Sequence, residues 1–166
     1  VNVDFPDNQS VMALCVEAMM TRTPWHMWDV KTCLPPKGAD TYEAIRLCEY
    51  AIGLAGQRDE EQHPAILHLH IHLLEMSTEP ERAMDSADRL GGLCPDAGHI
   101  QHMPGHIYVL CGEYEKAKTA SEAAILVNRK YLSYAGPYNY YTTALCHDLH
   151  LMMYTCMLLG QFEPAM

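Results

Sequence analysis

Seven histidines of this chain stand at spacings that suit metal coordination. His68 and His72 are four residues apart, as are His102 and His106; His99 precedes His102 by three, and His147 precedes His150 by three. On a helix turning about 100° per residue, residues three or four apart share a face. His99, His102 and His106 fall within about 60° of one another on that wheel. Neutral imidazole suits zinc, copper, iron or nickel, and three to seven rings meeting in a wet groove would make a transition-metal site. A water or dioxygen in an open coordination position would then support metal-assisted chemistry. Glu75 lies one turn from His72 and adds a carboxylate, giving the two-histidine, one-carboxylate set of non-haem iron sites. There is no HExxH motif and no zinc-finger spacing. No catalytic residue can be assigned.

The histidines also recur in register. Sliding "HLHIHLLEMSTEPERA" over "HMPGHIYVLCGEYEKA" sets His68 on His102, His72 on His106, Glu79 on Glu113 and Ala83 on Ala117, an offset of 34 each time. At an offset of 48, His147 matches His99, His150 matches His102, and Tyr154 takes the place of His106. A lone histidine on a helix face is usually packed or hydrogen-bonded. Alignment in columns distinguishes these seven, although copying of a repeat also aligns residues. A polar peptide groove, a pH-sensitive surface and ladders of histidine–carbonyl hydrogen bonds stay open beside the metal reading. His70 lies about 200° from His68 and faces a second helix instead. His63, just before Pro64, reads as a helix-entry residue.

These residues need helices to carry them, and helical signals dominate. No segment shows sustained period-two alternation. "QSVMALCVEAMMTR" reads as a first helix capped by Asn8 or Ser10. "TYEAIRLCEYAIGLAG" is a second, with Tyr42, Ile45, Cys48 and Ile52 as its apolar face and Gly53 or Gly56 as its end. Pro64 sits where a first helical residue would, and that helix runs to about Met76. Further helices are expected over "TEPERAMDSADRLGG", ending at Gly91-Gly92, then near 97–110 and 113–130. A long one restarts after Pro137 and runs to Leu159. Gly160 breaks it, and "QFEPAM" opens one more.

The pieces alternate as helix pairs. With the 34-residue period, they resemble the tetratricopeptide repeat family, whose unit is a 34-residue helix–turn–helix. "HIQHMPGHIYVLCGEYEKAKTASEAAI" is the best copy. Gly105 and Tyr108 fall at the close packing of the first helix, Gly112 at the turn, and Tyr114, Ala117 and Ala124 on the second helix. The preceding copy keeps Ala83 and Pro95. A later one keeps Gly160, Phe162 and Ala165 after an insertion of 14 around "RKYLSYAGPYNYY". The tryptophan expected early in each first helix is absent. "PERA", "ADRL" and "GHIQHMPGHIY" also resemble a histidine-rich bacterial group known only as repeat proteins, a likeness that implies no activity.

The resemblance implies an all-α fold, a right-handed α-solenoid of three to four helix pairs forming one domain over residues 1–166. It places His68, His72, His99, His102, His106, His147 and His150 in the concave groove. It equally implies a scaffold that grips a peptide or partner protein there, with the histidines structural. "PWHMWD" is expected to pack Trp25 and Trp28 on the end of the stack, or to lid the groove with His26. Tyr138, Tyr140, Tyr141 and Tyr154 either line the groove or pack. A last unit without a cap implies a fragment, a domain of a longer chain, or a subunit that oligomerises through its end.

Composition bounds the rest. In 166 residues, 49% apolar, a sizeable core can form. The net charge of -10 argues against nucleic acid, whose binding needs lysine and arginine. No apolar run has the length of a membrane span. The seven cysteines are odd in number and lack a CxxC pair, so free and mostly buried thiols in a reducing cytoplasm are expected.

Overall fold

A computed structural model describes residues 4–163, which form helices and turns with no strand among them. The chain divides into two compact units, Val1–Ser86 and Ala87–Met166. No helix among the described residues is long and apolar enough to cross a membrane.

In the first unit, α1 (Gln9–Thr21), α2 (Thr41–Arg58) and α3 (Pro64–Leu74) pack on one another. Asn8 caps α1 by accepting a hydrogen bond from the Val11 amide, as the sequence suggests. Pro64 opens α3 at its first position, where a missing N–H costs nothing. The end of α2 differs from expectation. It runs through Gly53 and Gly56 and stops at Asp59, which takes the left-handed conformation at φ 54°. Its buried face is Thr41, Ala44, Ile45, Cys48, Ala51 and Ala55, while Tyr42 is exposed. Burial of that small-residue face outweighs the cost of about 1 kcal/mol for each helical glycine. Trp28 is buried and donates from Nε1 to the Leu73 carbonyl at 2.6 Å, whereas Trp25 is 86% exposed. Only one of the two tryptophans therefore packs.

A 3-10 turn, Pro80–Ala83, leads into α4 (Met84–Leu93), which runs through Gly91 and Gly92. The segment expected as one helix near 97–110 is two, α5 (Gly98–His102) and α6 (Pro104–Leu110). Pro104 has no N–H to donate and interrupts the ladder, but Met103 between them keeps helical angles. Gly112, at φ 79°, makes the turn into α7 (Tyr114–Ala135). The long α8 (Tyr140–Leu158) follows, and Gly160 at φ 68° ends it. Residues 164–166, part of the expected last helix, lie outside the described residues.

In the second unit α7 packs against α5, α6 and α8. Ala117 and Ala124 are fully buried. Tyr108 Oη donates to Asp88 Oδ1 at 2.8 Å and Lys116 Nζ reaches the same oxygen at 2.9 Å, tying α6 to α4 and α7. All seven cysteines are free; only Cys48 and Cys156 are fully buried, and Cys33 and Cys146 are exposed.

Candidate metal centre

Three elements of the second unit bring three imidazoles together. His102 ends α5, His106 sits in the first turn of α6, and His147 lies on α8. The His102 ring centroid is 4.8 Å from that of His106 and 4.4 Å from that of His147, and the His106 and His147 rings are 6.2 Å apart. One ring nitrogen from each residue falls within 4.8 Å of the other two. His102 Nε2 and His106 Nε2 share a hydrogen bond of 2.8 Å. A metal bonded tetrahedrally to both at about 2.0–2.1 Å would set them about 3.3 Å apart. Replacing the shared proton with a metal ion therefore needs only a small movement.

Local packing makes this convergence. A Cβ at Gly105 would lie 2.9 Å from Leu151 Cδ2, so a glycine there leaves room for a side chain of α8. His102 is fully buried, His106 is half-buried, and the His147 side chain is 57% exposed. The site thus has a dry floor and an open side. A metal there would keep coordination positions toward water.

A carboxylate lies behind the rings. Asp148 Oδ1 is 3.1 Å from His102 Nδ1 and 3.4 Å from His147 Nδ1. Its Oδ2 accepts from Asn128 Nδ2 at 2.6 Å. Burial pushes the Asp148 carboxyl above its ordinary range, while the contacts with His147 and Asn128 work in the opposite direction. Neither Asp148 nor Asn128 is legible as a site residue from spacing. The one available signal is that Asp148 is the only acidic residue in α8.

The other expected ligands stand apart from this triad. His99 is exposed on α5, its ring stacked 6.5 Å from that of His102. His150 is exposed on α8, one turn beyond His147. In the first unit His68 and His72 are half-buried neighbours on α3, with rings 4.7 Å apart. His72 Nδ1 lies 2.8 Å from Glu75 Oε1, which supplies the carboxylate the spacing suggests. His70 faces away from them, is buried, and bonds through Nδ1 to Ser86 Oγ at 2.8 Å. His63 Nε2 contacts Ser10 Oγ at the start of α3, and His26 is exposed. Tyr138 and Tyr140 are exposed, and the Tyr140 ring meets that of Tyr141 edge to face.

Compared with known proteins, the chain matches no family model, no curated protein and no solved structure.

Proposed function

We propose that this chain is a tetratricopeptide-like helical repeat protein whose histidines bind a transition-metal ion. The carrying observation is the convergence of His102, His106 and His147 on ring nitrogens within 4.8 Å of one another. Three neutral nitrogen donors suit zinc, copper, iron(II) or nickel. Open positions on the His147 side would admit water or dioxygen, the arrangement that metal-assisted chemistry requires. His68, His72, His99 and His150 extend the set in the reading of the helix pairs as a right-handed solenoid, where they share the concave groove. The seven free cysteines are the ground for placing it in the reducing cytoplasm.

The test is metal content of protein made without a histidine tag. Stoichiometric metal is expected, and it should vanish in the His102→Ala plus His106→Ala variant while circular dichroism stays helical. Protein that takes up none of zinc, copper, iron(II) or nickel would end the proposal.

A second reading has its own support in the exposed tyrosines around the α7–α8 turn. Tyr134 is 90% exposed, Tyr138 100% and Tyr140 78%. Exposed aromatic side chains of this kind anchor protein interfaces. On this reading the chain is a scaffold for a peptide or partner protein, and the histidines are structural. A defined partner lost on Tyr134→Ser plus Tyr138→Ser, from protein that carries no metal, would favour it.

A further inference from the structure

The carboxylate behind the triad has an unusual setting for a structural acid. Asp148 is 3% exposed and stands in the middle of α8, with His102 and His147 as close neighbours of its carboxylate. A buried charge is costly unless hydrogen-bonded. Asp148 is hydrogen-bonded by the Asn128 amide and by His147 Nδ1, and His102 Nδ1 lies 3.1 Å from its Oδ1. Asn128 is fully buried on α7 and donates to Oδ2. Gly98 holds Asn128 in turn: a Cβ there would lie 2.2 Å from Asn128 Oδ1 and 2.7 Å from its Cγ. The amide therefore occupies the space that a side chain at Gly98 would need. Asn128 Oδ1 has no hydrogen-bond partner. The amide nitrogen donates to Asp148 Oδ2 at 2.6 Å.

We propose that Asp148, locked by Asn128 over Gly98, is the positioning residue of the triad. It takes the Nδ1–H of His102 and His147 and so leaves Nε2 of each ring unprotonated and turned toward the metal. The inference rests on the metal reading of His102, His106 and His147. The logic is chemical. A neutral imidazole has one N–H and one lone pair, and the partner of one nitrogen fixes which of them the other presents. His102 places Nδ1 beside Asp148 Oδ1 and Nε2 beside His106. A carboxylate can accept from both rings and from Asn128 at once. An amide in its place has a single acceptor oxygen for three donors. Partners of this kind orient metal-bound histidines, and their loss weakens metal binding about 10- to 100-fold.

The experiment uses the full chain with nitrogen-15 histidine. In metal-free protein, ring-nitrogen spectra should report His102 as the Nδ1–H tautomer. Asp148→Asn should shift that tautomer and weaken Zn(II) and Co(II) binding by about 10- to 100-fold with unchanged helical content. An Nε2–H tautomer of His102 in the wild type would overturn the proposal. So would a folded Asp148→Asn variant that binds both ions as tightly as the wild type, because a purely structural acid would alter stability alone. If the variant does not fold, the wild-type spectrum decides. If the wild type binds neither ion, the metal reading falls, and the same spectrum still tests whether Asp148 sets the tautomer.

Discussion

His102 and His147 face the same carboxylate from opposite environments, and that contrast predicts different costs of removal. His147 is mostly in water, so His147→Ala should change unfolding free energy by no more than about 0.5 kcal/mol. It should still weaken metal binding, because one of three donors is gone. His102→Ala opens a hole in the core and takes one polar neighbour from the buried Asp148, a loss of about 2–4 kcal/mol. Urea unfolding of both variants, beside metal titration, checks the pair. His70 makes a separate prediction. Burial, against the pull of Glu49, drives its pKa from 6.5 down to about 4. Between those values the unfolded chain takes a proton that the folded chain refuses. Stability is therefore full above pH 6.5 and falls as pH drops toward 4, by up to about 3 kcal/mol. Urea midpoints across that window should decline, and His70→Gln should flatten the decline. A wild-type midpoint that is level across the window would contradict this account.

At the level of elements, two glycines on helices should respond in opposite directions. Gly53 lies in α2 with open space around its missing Cβ. Gly53→Ala should stabilise by about 0.5–1 kcal/mol, since only the entropic cost of glycine is removed. Gly98→Ala must displace the Asn128 amide, and such overpacking costs about 1–3 kcal/mol. Because Asn128 holds Asp148, Gly98→Ala should also weaken metal binding while every polar group stays in the chain. Thermal melts and metal titrations of the two variants measure this. The same glycines mark what the sequence could convey. Helix types and the turns at Gly112 and Gly160 follow from local propensity and pattern, so they are legible. Gly53 and Gly56 look like helix ends in isolation, because the packing of Ala51 and Ala55 that carries α2 past them is tertiary. The break at Pro104 was likewise hidden by histidine spacing that runs evenly across it. Three of the seven histidines meet in one cluster, and spacing could show that they share helix faces. It could not show that α8 brings a carboxylate under two of them, since Asp148 and Asn128 are 20 residues apart on helices whose rotation is set by packing.

For the whole molecule, the triad places ligand binding and folding in a single equilibrium. His102, His106 and His147 come from three helices joined through α7, so the unfolded chain holds no preformed site. An ion that binds the folded form stabilises it by RT ln(1 + [L]/Kd), about 2.7 kcal/mol at one hundred times Kd. Zinc in excess should raise the thermal midpoint, and a chelator should return it. The rise should be absent in the His102→Ala plus His106→Ala variant, which separates specific binding from general attraction to a chain of net charge -10. Hydrogen exchange locates the effect. Amides of α5, α6 and the middle of α8 carry the ligands and should gain protection with zinc, together with the α7 turn that holds Asn128. A midpoint that rises equally in the double variant would assign the effect to surface carboxylates and remove the triad from the account.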